Sequence, residues 1–262
     1  MSKNTIQKRL RLVMAGVVIT LLTAFLFPVL SKTKSAASII AKSERLLRGD
    51  SSYGIYEMSI HNPRWKVPRI VEIETWSKGT EKSFMVIHKP KKDKGVTFLK
   101  IGNEMWQYIP KIEKIIKIPP SMMMQSWMGS DITNDDMVKE SSMERDYTKI
   151  IESENKSSWT IKLTPLPNAP VVWDRITIVI QKSSYLPTKA QYYDEDGELV
   201  RTILYEKHRK MGDRTIPTLM KFIPETKDKK GHITELLFKE IKFNTKIADS
   251  IFTIRSLKRR SR

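Results

Sequence analysis

Residues 159–180, WTIKLTPLPNAPVVWDRITIVI, decide the fold. At one end Trp159, Ile161 and Leu163 alternate with Thr160 and Lys162, and at the other Ile176, Ile178 and Ile180 share one face. A period of two sends successive side chains to opposite faces of a strand, so each end reads as a strand with one apolar face. The same period runs outward through Tyr56, Met58 and Ile60, through Val71, Ile73 and Thr75, and less uniformly through Ile233, Leu237, Ile241 and Phe243, where Glu235 and Lys239 interrupt it. Asp93-Lys94-Gly95, Gly102-Asn103, Asp196-Gly197, Met211-Gly212-Asp213 and Lys230-Gly231 separate such runs with the chemistry of tight reversals. Parallel strands would need crossover helices that the pattern lacks, so the expectation is mainly β: an antiparallel meander of about ten strands, curved into an unclosed or half β-barrel with a few covering helices.

Two stretches depart from this period. From Ser38 to Arg48, Ile39, Ile40, Leu46 and Leu47 fall on one helical face, and Gly49 is placed to end the helix. Residues 119–147 carry neither a sustained alternation nor a long helical stripe and read as a loop with short helices. Pro119 and Pro120 stop the strand before it, and Thr133-Asn134-Asp135-Asp136 offers a hydroxyl cap with a carboxylate three residues on. Such a segment could cover an open barrel mouth.

The N-terminus is an address. Lys3, Lys8, Arg9 and Arg11 precede the uncharged run LVMAGVVITLLTAFLFPVL at 12–30, and Lys32 and Lys34 follow it. Its length falls between the apolar core of a signal peptide, about 7–15 residues, and a membrane span of about 17–25. Cleavage near Ser35-Ala36-Ala37-Ser38 and an uncleaved transmembrane anchor with its basic end in the cytoplasm both fit. The expected organisation is residues 1–37 as signal peptide or anchor and 38–262 as one folded domain outside the cytoplasm.

The chain has 262 residues, 40% of them hydrophobic, enough to bury a core. Lys and Arg exceed Asp and Glu by 47 to 29, a formal charge of +18, which favours an anionic surface nearby. Because these cations are spread along most strand-like segments rather than gathered on one face, no nucleic-acid partner is expected. Lys89-Pro90-Lys91-Lys92 and the tail from Lys258 to Arg262 could touch anionic headgroups of a membrane surface, or simply keep the protein soluble. The absence of cysteine excludes disulfides, thiolate metal sites and a lipidated N-terminal cysteine.

Nothing in the chain reads as catalytic. His61, His88, His208 and His232 are isolated, and the nucleophile-elbow, phosphate-loop and dinucleotide glycine signatures are missing, so no enzyme, metal or cofactor is expected. Asp131, Asp135 and Asp136 lack EF-hand spacing and are better read as helix capping than as a calcium site. Met122, Met123, Met124, Trp127 and Met128 are more informative, since unbranched thioethers adapt to exchangeable apolar ligands, and Trp106 and Tyr108 share one strand face just before them. These seven residues are the candidate lipid contacts; a methionine-rich loop packed on the core is the competing reading.

Residues 95–136, GVTFLKIGNEMWQYIPKIEKIIKIPPSMMMQSWMGSDITNDD, resemble the LolA-like outer-membrane lipoprotein-sorting proteins. Met105, Trp106, Tyr108, Pro110, Gln125, Gly129, Ser130 and Asp131 carry the pattern. It extends to Gly49-Asp50-Ser51-Ser52-Tyr53, Trp76-Ser77-Lys78-Gly79, Tyr193-Asp194 and the ending from Asn244-Thr245 through Thr253. The resemblance implies an unclosed barrel whose hydrophobic concavity accepts acyl chains of a lipid or lipoprotein cargo on the periplasmic side of a bacterial envelope, in outer-membrane lipoprotein sorting or lipid transport. An inner-membrane transporter or exporter would then be the partner. A regulatory module sensing envelope stress and an accessory subunit of a lipid exporter are the alternatives.

Overall fold

The structure is a computed structural model and describes residues 34–139, 143–169 and 171–261. The apolar stretch at 12–30, with the readings that rest on it, lies outside the described residues. Among the described residues no helix is long and apolar enough to cross a membrane.

Two antiparallel meanders build one sheet. The first comprises β1 (Ser51–His61), β2 (Arg69–Lys78), β3 (Lys82–Lys89), β4 (Thr97–Ile101), β5 (Glu104–Ile109) and β6 (Lys114–Lys117). The second comprises β7 (Tyr147–Glu154), β8 (Ser158–Pro165), β9 (Arg175–Gln181), β10 (Pro187–Tyr193), β11 (Leu199–Met211), β12 (Arg214–Pro224) and β13 (Ile233–Phe243). Pairing of β1 with β13 joins them into thirteen strands, against the ten expected, with β6 and β7 at the two edges. The sheet is therefore unclosed between strands that follow one another in the chain. Their connection, residues 118–146, is the methionine-rich segment.

The alternation holds where it was read. Trp159, Ile161, Leu163, Ile176, Ile178 and Ile180 are all buried and belong to one cluster with Met58, Ile60, Val71 and Ile73. On β13 the reading needs correction. Ile233, Leu237, Ile241 and Phe243 do not form one buried face: a bulge opposite Ile55 and Tyr56 skips Lys239, so Leu236 and Phe238 reach the inner side before it and Ile241 after it. One unpaired residue exchanges the faces of everything beyond it.

Helix α1 (Ala36–Arg48) opens the domain, its N-terminus capped by the Ser35 hydroxyl, which accepts from Ser38 N at 3.2 Å. Ile39 and Ile40 are buried in the inner cluster. Gly49 ends the helix at φ +66°, and a Cβ there would stand 2.7 Å from Asn244 Oδ1, the atom that accepts from Asp50 N. At the other terminus residues 244–261, including α3 (Ile254–Arg259), fold over the outer face of β2–β5. Ile247, Ile251, Phe252 and Leu257 form a second cluster there with Phe84, Val86, Leu99 and Tyr108. Thr97 Oγ1 donates to Leu257 O at 2.9 Å, and the Arg260 guanidinium lies 4.8 Å from the Trp76 ring.

Candidate ligand cavity

The concave face of the sheet is only partly filled. Between it, α1 and residues 127–137 of the connecting segment runs a cavity of about 310 Å³. Its apolar wall includes Ile73 and Met85 from the first meander, Ile178, Ile203 and Phe222 from the second, and Trp127 from the segment that spans the edges.

That segment is held by polar staples at three points. Arg69 of β2 donates from Nη1 to Met128 O at 2.8 Å while its Nη2 pairs with Asp93 at 2.5 Å. Asp131, in the Gly129-Ser130-Asp131 turn, accepts from Thr234 Oγ1 at 2.8 Å, and its backbone N donates to the same hydroxyl at 2.9 Å. The third staple is the short helix α2 (Asn134–Lys139). Thr133 caps it as the spacing predicts: Asp136 Oδ2 accepts from Thr133 N at 2.8 Å, and Asp136 N donates to Thr133 Oγ1 at 3.1 Å. Asp136 also receives both terminal nitrogens of Arg201, from β11, at 2.6 and 2.8 Å. The guanidinium is 6% exposed and sits between the rings of Trp173, 4.8 Å away, and Tyr192, 4.6 Å away.

Each charge of this pair shifts the ionisation of the other. Burial opposes the charged form of Asp136, but the hydrogen bonds and charge of Arg201, with the Thr133 donors, outweigh it and hold the carboxyl below the ordinary carboxylate range. The same partnership overcomes burial at Arg201 and pushes its pKa up. Burial first, then the charges of Tyr192, Asp146 and Asp135, raise the Tyr147 phenol well above its usual value. At neutral pH Tyr147 is thus a neutral phenol, and Asp136 and Arg201 compensate each other's charge. Among the described residues no group of three or more metal-binding side chains stands together.

The structure separates the seven candidate contacts. Trp127, 2% exposed, lines the cavity and stands 5.3 Å from the Phe98 ring. Met122, Met123 and Met128 are half-buried against the inner cluster, and Met124 is 51% exposed. Trp106 and Tyr108 point the other way: Tyr108 is buried in the outer cluster and Trp106 packs against it. Sequence reading missed Arg201, whose Asp136 partner lies 65 positions away and which reads on β11 as one more basic residue.

Comparison with solved structures identifies the architecture. A DUF1329 family protein from Desulfovibrio piger matches with a TM-score of 0.75 at 20% identity, over 85% of this chain and 97% of that one. A LolA superfamily protein from Nitrosomonas europaea matches at 0.71 and 22%, over 85% and 99%. A domain named for outer membrane lipoprotein sorting, from Vibrio parahaemolyticus, matches at 0.72 and 19%, over 85% and 98%. The chain has the LolA-like fold. A family model described as "Uncharacterized protein" matches residues 79–259, and the chain belongs to that family. No curated protein matches.

Proposed function

We propose that this protein is a non-enzymatic acyl-chain carrier of the bacterial envelope, taking up a lipid or the lipid moiety of a lipoprotein on the periplasmic side. The observation that carries the reading is the apolar cavity of about 310 Å³ between the concave sheet and its covering segments. Each methylene moved from water into such a space contributes about 0.8 kcal/mol, so a chain is held without any covalent step. The LolA-like fold of a protein named for lipoprotein sorting is consistent with this use. Trp127 is the contact assigned first, with Met122, Met123 and Met128 beside it as adaptable packing, whereas Trp106 and Tyr108 belong to the structural cluster outside. The N-terminal stretch, as a cleaved export signal or a retained anchor, would deliver the domain to its compartment, where an inner-membrane transporter or exporter loads it.

The test is native mass spectrometry of the full chain purified from membranes in mild detergent, beside Leu236→Trp, which fills the cavity from its wall. The expected result is acyl lipid on the wild type and none on the variant. Wild-type protein free of lipid, and failing to take any up from added phospholipid, would contradict the reading.

A further inference from the structure

The inner face of the first meander changes character along its length. At one end it presents Ile60, Met58, Val71 and Ile87, all buried. At the other, cross-strand pairing places Ser52 opposite Ser77, Ser77 opposite Ser83, and Ser83 opposite Lys100. Four residues from four strands thus form a single polar rung, and all four line the cavity. A rung closer to the centre, Gly54, Thr75, Met85 and Phe98, is already mostly apolar.

Three features of the rung suit a ligand. Lys100 is only 6% exposed although it lies on the concave side of a sheet; its Nζ donates to Thr80 O. Ser83 Oγ is buried with no hydrogen-bond partner among the described residues, an arrangement proteins rarely leave unanswered. Ser52 and Ser77 share one hydrogen bond of 2.7 Å, so hydroxyl capacity remains at the centre of the rung. Among the described residues, the charges that line the same cavity include Arg48 and Glu44 of α1 and Lys82, whose ammonium turns to Asp249 at 3.3 Å. Glu44 is close enough to Lys149 of β7 to act on it, and Asp136 is matched by Arg201. Asp135 of α2 also lines the cavity.

We propose that the Ser52-Ser77-Ser83-Lys100 rung is a head-group subsite, and that the cavity takes an amphiphile whose anionic phosphoester rests there while its chain runs toward Trp127. The inference rests on the acyl-cavity reading and adds the chemical class of the ligand. An ammonium and hydroxyl donors in a desolvated site favour an anion over a neutral head of similar size, because charge-assisted hydrogen bonds are the stronger kind. Recognition of the head would also fix the direction in which the chain enters.

The experiment titrates the delipidated full chain with two probes of the same acyl chain, lysophosphatidylglycerol and monoacylglycerol, each below its micelle concentration, following tryptophan emission. The anionic probe is expected to bind at least about tenfold more tightly, the effect of one charged hydrogen bond. Lys100→Gln should remove that preference, bringing the two affinities together, and Lys100→Arg should keep it. Should Lys100→Gln fail to fold, Ser83→Ala, which deletes one hydroxyl, must still lower the preference. Equal affinity of the wild type for both probes, or a loss in Lys100→Gln shared by both, would overturn the subsite and leave the acyl cavity standing. Binding of neither probe would remove both.

Discussion

Strands β2–β5 have two apolar faces, and the chain treats them differently. On the outer face Phe84, Val86, Leu99 and Tyr108 meet Ile247, Ile251, Phe252 and Leu257, and the C-terminal segment fills the space with its own side chains. On the inner face Ile73 and Met85 look into a cavity of about 310 Å³. Hydrophobicity does not distinguish them; the manner of covering does. The outer cover is held by interdigitated side chains, which drives packing toward the density of a protein interior. The inner cover packs Trp127 and Ile132 into the inner cluster and is pinned besides by polar staples, Arg69 to Met128 O, Asp131 to Thr234 and Asp136 to Arg201, which fix the segment's position while the space beside it stays open. A face completed by the chain itself is structural, and a face spanned at a distance can take something else.

The sharpest way to break this contrast is to truncate one side chain on each face. Phe252→Ala is expected to cost about 3–5 kcal/mol in urea denaturation, since it opens a void in a packed cluster, whereas Leu236→Ala on the cavity wall should cost less than about 1 kcal/mol because space is already present. Comparable losses would mean that the inner face is as tightly packed as the outer.

The staples come next. Arg201→Gln should cost about 3 kcal/mol by leaving Asp136 partly buried without its counter-charge, and replacing the pair with Asp136→Leu and Arg201→Met should recover most of that. The pH dependence follows from the lowered pKa of Asp136. Its contribution is fully present above the ordinary carboxylate value and is lost as pH falls through the depressed one. Denaturation midpoints of the wild type should therefore fall in strong acid more steeply than those of the double variant; parallel curves would contradict the assignment. Smallest of all, Glu104→Gln, which breaks the exposed pair with Lys117, should change stability by no more than about 0.5 kcal/mol.

The long strands were legible because each carries its own alternation, and the reversals at Gly102 and Gly197 because positive φ marks them locally. β4 and β6 were harder, since Thr97–Ile101 and Lys114–Lys117 are too short for a period to establish itself. Alternation placed Trp106 and Tyr108 together on one face but carried no information on which face lay inward; that is decided by the C-terminal segment more than 130 positions later. Lys239 showed in the sequence as a break in the alternation, but that the break is a bulge is fixed only by the register against β1. The Thr133–Asp136 cap, a local device, was read correctly, whereas its engagement of Arg201 is a tertiary contact. The polar rung is illegible for the same reason, since Ser52, Ser77, Ser83 and Lys100 each look like an ordinary polar position until the register aligns them.

The most direct test of the contrast between the faces is photocrosslinking with a phospholipid carrying a diazirine midway along one acyl chain, followed by peptide mapping. Crosslinks should fall on the cavity wall, at peptides containing Trp127, Ile178 and Leu236. Crosslinks concentrated instead on Trp76, Trp106 or Phe252, or labelling unchanged by Leu236→Trp, would contradict the account.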